Sequence, residues 1–193
     1  MRVANRPPVA QAVVVRVMLV AVVAAVLAAP AAAADLDPGA LVLRQADVPS
    51  GFRIDAADSG LRANATELMS EPRLRTLFER WGRVTGYQAE FDRGTASISS
   101  RVDVLRSASG ARKLLAFVSR EIGTSGIKGV RRHATRIGDG GWTYRGRTGR
   151  TGFTIVVWID GRVFGGVAVT DLTSDRALRY ARVQQRRMAA APR

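Results

Sequence analysis

Between Val130 and Thr170 glycine divides the chain into four short segments, 130–137, 141–147, 152–160 and 162–170. They are separated by only one to four residues, connections that join antiparallel neighbours and leave no room for crossovers. Asp160-Gly161, between Ile159 and Arg162, is the strongest hairpin signal in the chain. This stretch predicts a β-meander, the heart of an antiparallel sheet. A second pair, Tyr87–Arg93 and Ala96–Leu105, alternates around Asp92-Arg93-Gly94. Ile98, Val102 and Val104 share one side of it, and Ser99, Arg101 and Asp103 share the other, which reads as a hairpin with one solvated face.

Helical periods interrupt and follow these strands. Leu74, Leu77, Phe78 and Trp81 recur at helical spacing behind Ser70, a plausible N-cap, and Pro72, with Gly82 or Gly86 as the stop. Ala111, Leu114, Leu115, Val118 and Ile122 form a second stripe, capped by Ser107 or Ser109 and ended by Gly123. From about Ser174 to Ala190, Ala177, Leu178, Ala181 and Met188 oppose Arg176, Arg179, Arg182 and Arg186, an amphipathic helix with an arginine face. Ahead of these, residues 41–47 suit one or two helical turns, and 55–68 read as a loop. The expected fold is α+β: an antiparallel sheet of about six strands with two or three amphipathic helices packed on one face.

The N-terminal residues bear on compartment. Arg2, Arg6 and Arg16 precede an apolar run from Val17 to Ala29, and small residues Ala31–Ala34 then lead into Asp35. That order predicts a cleavable export signal over 1–34 and one secreted domain over 35–193. The apolar run is short for a membrane span, and Pro30 breaks it. There is no cysteine, so disulfides, thiol chemistry and lipidation at a cysteine are all excluded. Once Arg2, Arg6 and Arg16 leave with the signal, 27 basic residues face 16 acidic ones, a net charge of +11 that favours acidic partners. Only Lys113 and Lys128 among the 30 basic residues are lysine, a bias that a GC-rich genome produces by codon usage.

No set of residues reads as an active site. His133 is the only histidine, and its setting between Arg132 and Ala134 suits a solvated strand position. Asp55, Asp58, Glu90, Asp92, Asp103 and Asp139 are the acids available for proton transfer, and no spacing fixes two of them together. Ile137-Gly138-Asp139-Gly140-Gly141-Trp142 lacks the lysine of a phosphate loop and opens no helix, so it reads as a sharp turn presenting Asp139. Asn64-Ala65-Thr66 matches a glycosylation acceptor too short to carry meaning here. No cofactor is implied.

Two binding features stand out. Arg131, Arg132, Arg136, Arg145, Arg147 and Arg150 are a candidate anion-binding set, and aligned strands would make them a continuous basic face. Against this stands an ordinary solvated face in an arginine-rich protein. Phe78, Trp81, Phe117, Trp142 and Trp158 are candidate lining of an apolar pocket, or plain core. The charge is not accompanied by a helix-turn-helix, zinc finger or RNP-like pattern, which with export argues against nucleic acid. The expected function is non-enzymatic, exported binding of a small ligand or an anionic envelope component. Its alternatives are a basic adhesive protein on wall polymers or lipid headgroups, and a carboxylate-type hydrolase.

Leu41 with Gln45-Ala46-Asp47-Val48-Pro49-Ser50-Gly51-Phe52, then Ile137-Gly138-Asp139, then Val156-Val-Trp-Ile-Asp-Gly-Arg-Val163 form a recognisable outline. It resembles secreted or lipid-anchored actinobacterial domains, some similar to the extracellular sensor domains of actinobacterial serine/threonine kinases. The resemblance implies a strongly bent antiparallel sheet with helices and a ligand cleft. It carries over no functional residue. The chain departs from the kinase sensors in lacking their cysteines, a kinase domain and a lasting membrane anchor.

Overall fold

A computed structural model describes residues 36–62, 72–125, 127 and 129–191. The hairpin around Gly94 (φ 60°) forms as strands β3 (Arg83–Arg93) and β4 (Ala96–Leu105), with Phe91 opposite Ile98. The meander supplies β5 (Arg131–Thr135), β6 (Gly140–Thr148), β7 (Thr151–Asp160) and β8 (Val163–Thr170). Asp160-Gly161 turns β7 into β8, with Gly161 in the left-handed region at φ 56° that glycine adopts without strain. Two two-residue strands, β1 (Arg53–Ile54) and β2 (Gly60–Leu61), pair with the outer edge of β3. The described strands form one antiparallel sheet in the order β1-β3-β4-β8-β7-β6-β5.

Among the described residues four α-helices accompany it: α1 (Pro38–Leu41), α2 (Pro72–Trp81), α3 (Ala108–Thr124) and α4 (Ser174–Ala190). Ser107, not Ser109, caps α3 by accepting from the Gly110 amide at 3.1 Å. Gly123 does not stop α3, which runs on to Thr124; Gly82, at φ 74°, ends α2, and Gly86 lies inside β3. The expected Ser70 cap lies outside the described residues. From β4 the chain passes through α3 to the far edge strand β5, then returns strand by strand until β8 lies beside β4.

The α+β antiparallel fold stands, with six strands of five or more residues and two two-residue edge pieces among the described residues. The helices, however, occupy both faces of the sheet and not one. Ile98, Val102, Val156, Trp158, Val167 and Val169 pack on one face against Ala177, Tyr180, Ala181 and Met188 of α4 and against Leu41, Val42 and Phe52 of the N-terminal segment. Tyr144, Phe153, Ile155, Val157 and Phe164 pack on the other against α3 and Phe78 of α2. The physical reason is that β7 is apolar on both sides, Ile155 to Ile159 being an unbroken apolar run; such a strand needs cover above and below.

The second correction concerns the β3–β4 hairpin, whose polar side is buried. Ser99, Arg101 and Asp103 are 7%, 1% and 0% exposed, with Gln88 and Glu90 of β3 buried beside them.

Candidate functional site

At the far edge of the sheet, β5 and β6 extend past the helix on the α4 face. α4 follows β7: the Ser174 and Thr154 hydroxyls lie 3.0 Å apart at one end, and Trp158 Nε1 donates to Gln185 at 2.6 Å at the other. The residues of β5 are almost all exposed, as are Arg145 and Arg147 of β6. Arg131 lies directly opposite Arg145, and Arg145 pairs onward with Thr154, so both arginines share the α4 face. Alternation puts Arg147 on that face, about 7 Å further along β6. Its guanidinium is held by donation to the Arg150 carbonyl at 3.0 Å in the β6–β7 turn. Among the described residues no carboxylate pairs with Arg131, Arg145, Arg147 or Arg150.

The other two arginines of the expected set lie elsewhere. Arg132 points to the α3 face, where its guanidinium covers the Trp142 ring at 4.3 Å, a cation–π contact. Arg136 is exposed beyond the end of β5. His133 is exposed on β5 opposite Thr143, on the side of Arg131.

The aromatic residues do not line one cavity. Phe78, Trp81 and Phe117 cluster between α2 and α3, with ring centroids 5.4 to 6.1 Å apart and mostly edge-on. Trp142 is on the same face, further out on β6. Trp158 is on the opposite face, fully buried under α4 and held by Gln185.

A second charged cluster had no counterpart in the expected sites. Arg83 Nε donates to Asp103 Oδ1 at 2.7 Å, and Arg101 Nε to Asp103 Oδ2 at 2.9 Å. Arg101 also reaches Gln88 Oε1 at 3.3 Å, and Gln88 Nε2 donates to Glu90 at 2.8 Å. Burial alone would raise the Asp103 carboxyl; the Arg101 and Arg83 guanidiniums outweigh it and hold it below its ordinary 3.8. Gly86 makes room for the cluster, since a Cβ there would collide with the Arg83 guanidinium and the Asp103 carboxylate. The signal in the sequence was Arg101-Val-Asp103, opposite charges two apart on a strand and so on one face. Asp103 is thereby committed to two guanidiniums and poorly placed to act as a base.

Asp139 sits in the turn before β6; its amide donates to the Ile159 carbonyl, and its carboxylate accepts from the Gly161 amide at 2.7 Å. Among the described residues no three His, Asp or Glu side chains gather as a metal site, and no helix is long and apolar enough to cross a membrane. The expected signal at 1–34 and Asn64-Ala65-Thr66 lie outside the described residues.

No family model matches the sequence, and no curated protein matches it. Among solved structures the chain is similar to the extracellular domain of PknH from Mycobacterium tuberculosis, known from a crystal structure. The two are 10% identical, the match covers 78% of this chain and 94% of that one, and the TM-score is 0.45.

Proposed function

We propose that this chain is a non-enzymatic, exported binding domain that takes an anionic small ligand or envelope component on the β5–β6 arginine shelf. The observation that carries this is Arg131 directly opposite Arg145, both exposed and without a carboxylate partner among the described residues. Like charges directly opposite on a sheet destabilise it, and an anion shared between two guanidiniums turns that repulsion into binding. A non-enzymatic role is supported by Asp103, locked by two arginines, and by His133, exposed on the edge strand. These observations disfavour the carboxylate-type hydrolase.

The adhesive alternative draws on α4, where Arg176, Arg179, Arg182 and Arg186 are all exposed. Calorimetric titration of the purified protein with phosphate and with citrate, at low and high salt, separates the two. The shelf reading expects saturable binding that Arg131→Ala with Arg145→Ala removes and that Arg176→Ala with Arg179→Ala leaves in place. Binding indifferent to the first pair and lost with the second would overturn it in favour of the helix face.

A further inference from the structure

We infer that the shelf takes a linear phosphate polyanion lying along β6, and not an isolated small acid; this rests on the shelf reading above and names its ligand class. Arg131 and Arg145 stand side by side across the strand pair, while Arg147 follows on the same face about 7 Å along it. One phosphate fits between the first two guanidiniums. Arg147 is drawn by the Arg150 carbonyl toward the β6–β7 turn, away from that pair, which places it for the next charge of an extended chain. Arg147 is already oriented by the Arg150 carbonyl, which lessens the side-chain entropy lost on binding. Beyond it Arg150, exposed in the turn, extends the basic line. Asp171 and Asp175, which flank the start of α4, form no ion pair with the row.

The surroundings favour a chain over a flat surface. α4 packs on β7 and β8 and follows β7 from Thr154 to Trp158, so it stands as a ridge beside the shelf. A helix with its side chains is about 10–12 Å across, more than an arginine side chain reaches. A planar anionic membrane meets that ridge first, whereas a thin polymer can lie in the step beside it. His133, exposed on β5, continues the step past Arg131, while Thr143 opposite it is buried.

The test is binding of the purified protein to orthophosphate, tripolyphosphate and long-chain polyphosphate at equal total phosphate, with phosphatidylglycerol vesicles as a fourth arm. The expected result is affinity per phosphate at least 10-fold higher for the long chain than for orthophosphate. Arg145→Ala should weaken the long chain about 10-fold and lower the slope of log K against log salt by about 1. Arg176→Ala with Arg179→Ala should do neither. Equal affinity per phosphate for orthophosphate and polymer overturns the inference while leaving the shelf reading standing. Vesicle binding as tight as polymer binding overturns it in favour of a membrane surface. No binding in any of these arms overturns the inference, and if citrate also fails to bind, the shelf reading ends with it. All these arginines are exposed, so a ligand-free melting temperature no lower than that of wild type verifies that each variant is folded.

Discussion

The sheet carries arginine at both ends and uses it in opposite ways. At the β3–β4 end Arg83 and Arg101 are buried, and both are spent on Asp103. At the β5–β6 end Arg131 and Arg145 are exposed, opposite each other, with no carboxylate among the described residues to balance them. The first arrangement is closed: every charge in it has an internal answer, and removing one member strands the rest in a dry interior. The second is open, and the partner that would complete it comes from outside. The same residue type serves in both; what separates them is where the sheet is covered.

The sharpest way to break that comparison is Asp103→Asn. It leaves two buried guanidiniums facing a neutral amide, and should lower unfolding free energy by about 3–5 kcal/mol in a urea titration. A loss below about 1 kcal/mol would mean that water reaches the cluster and that the two ends of the sheet differ less than their burial indicates.

A related effect appears on acidification. The folded Asp103 carboxyl titrates below 3.8, so its contribution is present above that pH and is lost as pH falls through the lower, folded value. Asp47 has the same sign: burial opposes ionisation, and the hydrogen bonds from Arg187 and from the Arg44 amide, with the charges of both arginines, together outweigh it. Stability should therefore fall with increasing steepness below about pH 4. Asp103→Asn should flatten that limb, read as the urea midpoint at pH 3 against pH 6. A limb of unchanged steepness in the variant would assign acid sensitivity to other carboxylates.

Between the two extremes lies Arg187 on α4, which donates to the Val42 carbonyl at 2.8 Å and to Asp47 at 2.9 Å, tying the N-terminal segment to the helix. Its side chain is 23% exposed, so solvent weakens the pair. Arg187→Ala should cost about 1 kcal/mol and speed proteolysis within residues 44–52. Unchanged cleavage there would show that Leu41, Val42 and Phe52, all buried, hold the segment without the ion pair.

These contrasts mark what could be read from residues alone. Six long strands, the Asp160-Gly161 turn and the long helices follow from local chemistry: alternation, glycine at left-handed positions, a serine cap. The number of covered faces depends on tertiary packing, although Ile155–Ile159 carried the information, because a strand apolar on both sides cannot leave one face wet. The buried cluster was harder. Ser99, Arg101 and Asp103 alternate as a solvated face would, and only opposite charges paired within one face distinguish a closed internal network from a wet surface. Pairing Arg131 with Arg145 required the β5–β6 register, which a Gly-rich turn at 138–141 leaves open to a one-residue slip.

The smallest effect on stability is also the most discriminating, because its sign differs from the rest. Arg145→Ala removes one member of a like-charged pair directly opposite Arg131, so without ligand it should leave stability unchanged or raise it, by at most about 1 kcal/mol. An arginine kept for the fold behaves as those around Asp103 do, and its loss destabilises. One kept for an external anion costs the fold a little and repays it only when the ligand is bound. Urea titrations of the wild-type protein and Arg145→Ala, each with and without long-chain polyphosphate, read both halves of that statement. The expected pattern is a variant at least as stable as wild type alone and less stabilised than wild type by the polymer. A variant destabilised by 2 kcal/mol or more in the absence of any anion would place Arg145 with the buried arginines, as part of what holds β6 in the sheet.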